Sequence, residues 1–333
     1  MHFDFLFQHI FELTITGLAL GAIYALVALG YTMVYGILQL INFAHSEVFM
    51  FGTFAFAWVF VFIHGTTSAS QGLGSTIGLL ILALVAAMLT SAAVALLIER
   101  VAYRPLLKKD APKLIALISA IGASFTLSEL MGVRDKVAAW FGLEDNLSNY
   151  VSNARDIYAN PVTINPKGLF TIGDYTVTDV DLVVIGAALA MMLALDIFVR
   201  RTRFGRGIRA VAQDPESALL MGVNSTRIIQ ITFLIGGLMA GAAAALYMLK
   251  IGTTRQNAGF ILGVKAFTAA VLGGIGNLRG ALLGGLLLGV VENWGSAVFG
   301  TQWKDVVAFV LLVLILLVRP SGLLGEALGK ARA

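Results

Sequence analysis

Apolar residues fall in long runs along this chain, and polar residues collect in the stretches between them. A helix needs roughly 20 mostly apolar residues to cross about 30 Å of hydrocarbon. Runs of that kind lie at about 10–30, 46–64, 77–98, 113–132, 181–199, 227–249 and 303–318. An eighth apolar region, about 262–292, is interrupted by Gly273-Gly274-Ile275-Gly276-Asn277. Each of its arms is too short to cross alone unless the membrane thins. The region therefore predicts a discontinuous helix or a re-entrant pair, tolerable where exposed backbone meets protein or a water-filled cavity. A similar irregular stretch, Gly36 to Ser46, joins the first two runs. The expectation is an all-α fold: a polytopic transmembrane helical bundle of about 8 spans, with discontinuous or re-entrant segments, in a single domain over 1–333.

The placement of Lys and Arg orients the spans, because cytoplasmic loops carry the excess. The loop after the third run holds Arg100, Arg104, Lys108, Lys109 and Lys113. The loop after the fifth holds Arg200, Arg201, Arg203, Arg206 and Arg209, and the tail holds Arg319, Lys330 and Arg332. These regions are expected inside. In the longest polar stretch, 133–180, acids outnumber Arg134, Lys136, Arg155 and Lys167, so it is expected outside as a compact loop. Met1 to His9 contain no Lys or Arg, and no small-residue cleavage site follows the first run, so that run is expected to remain as a span. The two halves also share an order of features that is compatible with an internal repeat.

Composition narrows the class further. Hydrophobic residues make up 58% of the 333 and charged residues only 13%, against about 25% in a soluble domain. Mean hydropathy is +0.87. With no cysteine, disulfides, thiolate catalysis and Cys-ligated metals are excluded. The 4 histidines have no spaced partners for a metal. No phosphate-loop motif occurs, and no nucleophile–base–acid set appears, so neither a nucleotide site nor an enzyme is expected. A net charge of +4 on so apolar a chain points to lipid and not to nucleic acid.

Three segments carry candidate chemistry. Between Arg203 and Asn224, Gly207 to Gln213 predicts a short helix. Asp214-Pro215-Glu216 then supplies an N-cap, a proline at the first helical position and an acid in the first turn. Gly222 suits a left-handed C-terminal cap. The pair is either a connector lying on the lipid surface or a knob that fits a groove on a soluble partner. Asn42-Phe43-Ala44-His45-Ser46-Glu47 places a His and a Glu near the membrane. Such groups face a cavity or one another. Asn42, His45 and Glu47 are therefore candidates for the translocation path, or else Asn42 and Glu47 cap helix ends. Gly273, Gly274, Gly276 and Asn277 expose backbone either to a solute or to tight helix packing, and Glu292 lies either on the path or at the water interface. Glu99, Asp196 and Lys304 lie near span ends, where snorkelling accounts for them. Gly17/Gly21 and Gly285/Gly289 are spaced for close helix contact, within the chain or with a second chain.

Several blocks, in order from the first span to the last, carry a family resemblance. They include Gly30-Tyr31-Thr32-Met33-Val34-Tyr35-Gly36, Ile41-Asn42-Phe43-Ala44-His45, Ile98-Glu99-Arg100-Val101-Ala102-Tyr103-Arg104-Pro105, Lys265-Ala266-Phe267-Thr268-Ala269 and Lys304-Asp305-Val306-Val307. The chain resembles the permeases of ABC importers for branched-chain amino acids, of the H-subunit type of the Liv systems. The external loop 133–180 matches poorly, and Ser46 stands where those relatives tend to have glycine. The resemblance implies a multi-pass permease of a bacterial inner membrane that forms half of a pathway for Leu, Ile or Val. It implies a second homologous permease, two ATP-binding subunits that hold ATP and Mg, and a periplasmic binding protein. It implies no cofactor in this chain. It also implies an ATPase-coupling element at Arg209 to Val223, with Arg209, Ala210, Asp214, Pro215, Ala218, Gly222 and Val223. Relatives for urea, short amides or other amino acids are the alternative substrate class. A stand-alone secondary carrier would instead need paired acids at mid-membrane.

Overall fold

The computed structural model describes residues 3–64, 69–72, 76–109, 111–143, 145–151, 155–173 and 175–325. The helices are α1 (Phe3–Gln8), α2 (Ile10–Leu38), α3 (His45–His64), α4 (Ile77–Ile98), α5 (Arg104–Lys108), α6 (Lys113–Gly132), α7 (Arg134–Trp140) and α8 (Ser148–Val151). They continue as α9 (Asp179–Arg201), α10 (Arg203–Gln213), α11 (Pro215–Leu220), α12 (Ser225–Ile251), α13 (Ala258–Gly273), α14 (Leu278–Phe299) and α15 (Lys304–Val318). A π-helical turn, Glu99–Tyr103, makes α4 and α5 one continuous element. Among the described residues, eight helical stretches are long and apolar enough to cross a membrane: α2, α3, α4 with its extension, α6, α9, α12, α14, and α15 with the turn before it. The short strands β1 (Ala69–Gly72), β2 (Tyr158–Ala159), β3 (Val162–Asn165), β4 (Gly168–Ile172), β5 (Tyr175–Thr178) and β6 (Thr253–Thr254) lie in connections. They pair as β1 with β3, β2 with β6 and β4 with β5, and leave the class all-α.

Two expectations from the apolar pattern are corrected. The arms around Gly273 are unequal: α13 has 16 residues, whereas α14 has 22 and is long enough to cross. The charge of Glu292 does not end α14, because Lys265 neutralises it within the fold. The first run also continues as α2 to Leu38. The irregular link is therefore only 39–44, and His45, Ser46 and Glu47 form the first turn of α3.

The chain packs as two compact units, each assembled from separated stretches, so no single cut in the sequence divides them. The first contains Met1–Gln39, Gly168–Thr232 and Val264–Ala333. Its core is the α2–α14 pair. A Cβ at Gly21 would lie 2.6 Å from the Gly285 carbonyl oxygen, and one at Gly289 would lie 2.3 Å from the Gly17 oxygen. Four glycines thus let two backbones meet where no larger residue fits. Trp294 Nε1 donates to Thr14 Oγ1 at 3.1 Å across the same pair. Helix α9 begins with a capping box: the Thr178 hydroxyl accepts from the Asp181 N–H, and the Asp181 carboxylate accepts from the Thr178 N–H.

The second unit contains Leu40–Lys167 and Phe233–Gly263. Here α12 presses small residues against α4: a Cβ at Gly241 would lie 2.5 Å from the Ala87 oxygen, and one at Gly237 would lie 2.7 Å from Ala92 Cα. Beside this contact Met50, Phe54, Phe60, Met131, Tyr158 and Met248 form an apolar cluster. Arg134 lies over the Phe54 ring at 4.9 Å and donates to the Met131 carbonyl at 2.9 Å, so it closes one end of that cluster. Burial lowers the Arg134 guanidinium from its usual value and pushes the Tyr158 phenol up to about 12.

Candidate functional site

In the first unit, the loop between α9 and α12 folds as its caps dictate. The Thr202 hydroxyl accepts from the Gly205 N–H and starts α10. Asp214 accepts from the N–H groups of Glu216 and Ser217, at 3.0 and 3.2 Å, and Pro215 opens α11 behind it. The Ser217 hydroxyl, followed by these N–H groups, holds the Asp214 carboxyl below the usual carboxylate range. At the far end Gly222 takes φ +83°, where its N–H reaches the Leu219 carbonyl and the Val223 N–H reaches that of Ala218. This is the left-handed stop that glycine supplies at least cost. Ala218 is buried, Ala210 and Val223 are half-buried, and Arg209, Asp214 and Pro215 are exposed.

The tip of this element was not singled out from sequence. Leu219, Leu220 and Met221 are 64%, 88% and 85% exposed. They extend the apolar run of a helix too short to bury them, and the stop at Gly222 leaves them projecting. The available signal was three consecutive apolar residues directly before a capping glycine.

The Gly273 turn lies at the same end of this unit. The segment after α15 returns to it: Leu323 and Leu324 N–H groups donate to the carbonyls of Leu272 and Gly273 at 2.8 and 3.0 Å. Asn277 Nδ2 donates to the Leu324 carbonyl, while its Oδ1 caps α14 through the N–H groups of Arg279 and Gly280. A Cβ at Gly273 would sit 1.9 Å from the Gly280 oxygen, and Gly274 has φ +104° against Gly325. Gly276, at φ +96°, has open space around it.

Glu292 lies within the α2–α14 core and is fully buried. Its Oε1 accepts from Lys265 Nζ at 2.7 Å and from the Tyr24 hydroxyl at 3.3 Å, with Lys304 Nζ 3.6 Å away. Lys265 also reaches Asp305 at 2.6 Å. Glu292 Oε2 is buried without a hydrogen-bond partner. Lys265, Asp305 and Tyr24 were not assigned from sequence, although Lys265 stands alone in an apolar run. The snorkelling account of the span-end charges is corrected here too, because these groups are paired. Besides Lys304, Glu99 holds Arg104 in two bonds, at 3.1 and 2.8 Å. Asp196 meets Arg200 at 2.9 Å and Arg279 at 3.3 Å.

In the second unit Asn42, His45 and Glu47 are all buried at the start of α3. Glu47 Oε1 accepts from the hydroxyls of Ser124 and Ser46 at 3.2 and 3.3 Å. Glu47 Oε2 and Asn42 Oδ1 are buried and meet no donor, so neither side chain caps α3. Gly259 brings α13 against this turn: a Cβ there would lie 2.4 Å from the Ser46 oxygen and 3.0 Å from Glu47 Oε2. The two path groups named from sequence thus fall into separate clusters, Asn42 with Glu47 in one unit and Glu292 in the other. Each cluster holds a carboxylate oxygen with unused acceptor capacity. Among the described residues, no group of three or more His, Asp or Glu side chains is placed to hold a metal.

The family described as branched-chain amino acid transport system / permease component matches residues 13–316. The chain is 42% identical over 323 residues to the high-affinity branched-chain amino acid transport system permease protein BraD of Pseudomonas aeruginosa, covering 96% of each. It is 42% identical over 330 residues to the permease protein LivH of Escherichia coli K12, covering 96% of this chain and 97% of the relative. A fructose import permease protein of Rhizobium meliloti is 31% identical over 178 residues, about half of each chain. No solved structure matches.

Proposed function

Because the chain belongs to the branched-chain amino acid transport system permease family, we propose that it supplies half of the membrane path of a bacterial inner-membrane ABC importer for leucine, isoleucine or valine. The second half comes from a homologous permease. Two separate ATPase subunits bind ATP and Mg and drive the cycle, and a periplasmic binding protein delivers the solute. The observation that carries this reading is the 42% identity sustained over 96% of the chain to two permeases of such systems. A half-length match to a sugar permease does not weigh against it.

In this mechanism α10 and α11 receive force. Arg209, Ala210, Asp214, Pro215, Ala218, Gly222 and Val223 build a rigid knob, and Leu219, Leu220 and Met221 present its apolar tip to a groove on the ATPase. An exposed apolar patch rimmed by polar residues suits a protein contact. A short helix capped at both ends moves as one body, so closure of the ATPases displaces the spans attached at either end, α9 and α12.

The zwitterionic solute has an ammonium that needs acceptors and a carboxylate that needs donors. Glu47 Oε2 and Asn42 Oδ1 are unpartnered acceptors, and Glu292 with Lys265 offers both signs. We assign these groups to the path. The turn Gly273, Gly274, Gly276 and Asn277 forms its inner end.

Uptake of labelled leucine and of labelled urea by the reconstituted complex, with ATP and binding protein, tests the proposal. ATP-dependent leucine uptake supports it. Uptake of urea without leucine transfers the chain to the amide class, and uptake driven by an ion gradient without ATP overturns the importer reading.

A further inference from the structure

At the end of the first unit that carries the arginines, a cavity of about 540 Å³ opens between α2, α9, α10 and the Gly276 turn. Three guanidinium groups, Arg200, Arg209 and Arg279, line it against one carboxylate, Asp196. Asp196 accepts from Arg200 and Arg279, and Arg209 donates to the Val199 carbonyl. Each guanidinium carries five N–H donors, so these bonds leave most of the donors unused. Thr32, another of the lining residues, is 1% exposed, and its hydroxyl has no hydrogen-bond partner. A buried hydroxyl left unmatched is costly unless a ligand completes it. The cavity therefore has a net charge of about +2, a surplus of fork-shaped donors and an orphaned hydroxyl. Fork geometry of this kind suits the oxygens of a phosphate.

We propose that this cavity binds the phosphate group of an anionic phospholipid headgroup. A free phosphate would satisfy the same donors, but the adjoining surface favours a lipid. On α9 the residues Leu189, Leu193 and Ile197, one turn apart, are 44%, 57% and 46% exposed. They form an apolar strip that leads to Arg200 at the cavity wall, where an acyl chain lies alongside while its headgroup enters. Basic pockets at the cytoplasmic ends of spans have the charge that anionic lipid needs. Because α10 forms one wall, the bound headgroup braces the base of the coupling knob against α2. The site thus makes the knob's stance depend on lipid composition, beyond the function proposed above.

The test uses the purified, delipidated complex, titrated with phosphatidylglycerol, phosphatidylcholine or inorganic phosphate and read by native mass spectrometry. Phosphatidylglycerol is expected to add a tightly held adduct that phosphatidylcholine does not. Losing one charge-assisted donor weakens binding about ten-fold or more, so Arg279→Gln is expected to remove that adduct. Thr32→Val, which changes no charge, is expected to weaken it several-fold and keeps the test valid if the arginine variant fails to assemble. Equal retention of both lipids overturns the proposal. So does unchanged retention in a variant that melts like the wild type. Displacement of phosphatidylglycerol by millimolar inorganic phosphate, with the same sensitivity to Arg279→Gln, overturns the lipid assignment in favour of a free phosphate.

Discussion

Lys265 shows what one residue does in an apolar frame. Its ammonium sits between Glu292, which is fully buried, and Asp305, so the network runs from the helix core to the rim. An ion pair taken out of water barely repays its desolvation, yet removing one partner leaves the other charged and buried. Lys265→Met is therefore expected to cost about 3–5 kcal/mol, the usual loss when a buried pair is broken. Replacing both partners, as Lys265→Met with Glu292→Leu, should restore much of that stability while abolishing transport if the pair touches the solute. Thermal unfolding in detergent measures the first part and leucine uptake the second. A single variant as stable as wild type would show that Lys304, 3.6 Å away, already neutralises the carboxylate. The sequence displays the lysine plainly, as a lone cation in an apolar run. It does not display the partners, which lie 27 and 40 positions away and are set by how the helices cross. Asp196 is alike in its distant partner Arg279, 83 positions away, whereas Glu99 pairs locally with Arg104, five residues on through the π-helical turn.

At the scale of elements, local chemistry was legible wherever a cap decides the backbone. Asp214-Pro215 and Gly222 predict the start and stop of α11, and the structure has both there. The carboxyl of Asp214 is depressed, so its stabilising effect is complete at neutral pH and is lost only as pH falls through the lowered folded value. Transport should therefore show no acid limb from this cap above the ordinary carboxylate range. Asp214→Asn, which keeps an acceptor, should couple better than Asp214→Ala. Gly222→Leu forces a side chain into the left-handed region, at about 1–2 kcal/mol, and should raise ATP hydrolysed per leucine moved while the complex still assembles. An unchanged ratio would remove the knob from the coupling path. Length was less legible than caps. In the sequence the second arm ends at the charge of Glu292 and so falls short of a span, whereas α14 runs on to Phe299, and Gly280, Gly284, Gly285 and Gly289 let it lie against α2 and α13. A Cβ at Gly285 would lie 2.6 Å from Ala25 Cα. Gly285→Ala is thus expected to cost about 1–3 kcal/mol as an overpacked contact, read as a lower melting temperature. Gly36→Ala, with nothing within 4 Å, should melt close to wild type.

For the molecule as a whole, hydropathy yielded the class and the span count, because bilayer thickness constrains helices however they pack, while charge bias supplies an expected orientation. They could not yield the division into units, since each unit joins early and late stretches whose contacts appear only on folding. The orientation can be examined through the chain's lack of cysteine, which makes every introduced thiol unique. The segment after α15 is hydrogen-bonded to the Gly273 turn, so the two face one compartment, and the charge bias at Arg319 leads to the expectation that this is the cytoplasm. Ile275→Cys and Ser321→Cys should therefore resist an impermeant maleimide in intact cells and react after permeabilisation, as should Leu220→Cys on the knob. Thr301→Cys, between the opposite ends of α14 and α15, should react from outside without permeabilisation. If Ile275→Cys instead labels from outside while Leu220→Cys stays protected, α13 and α14 form a re-entrant pair entering from the outer face. The inner end assigned to the path, and the lipid-facing mouth of the arginine cavity with it, would then have to be placed on the other side.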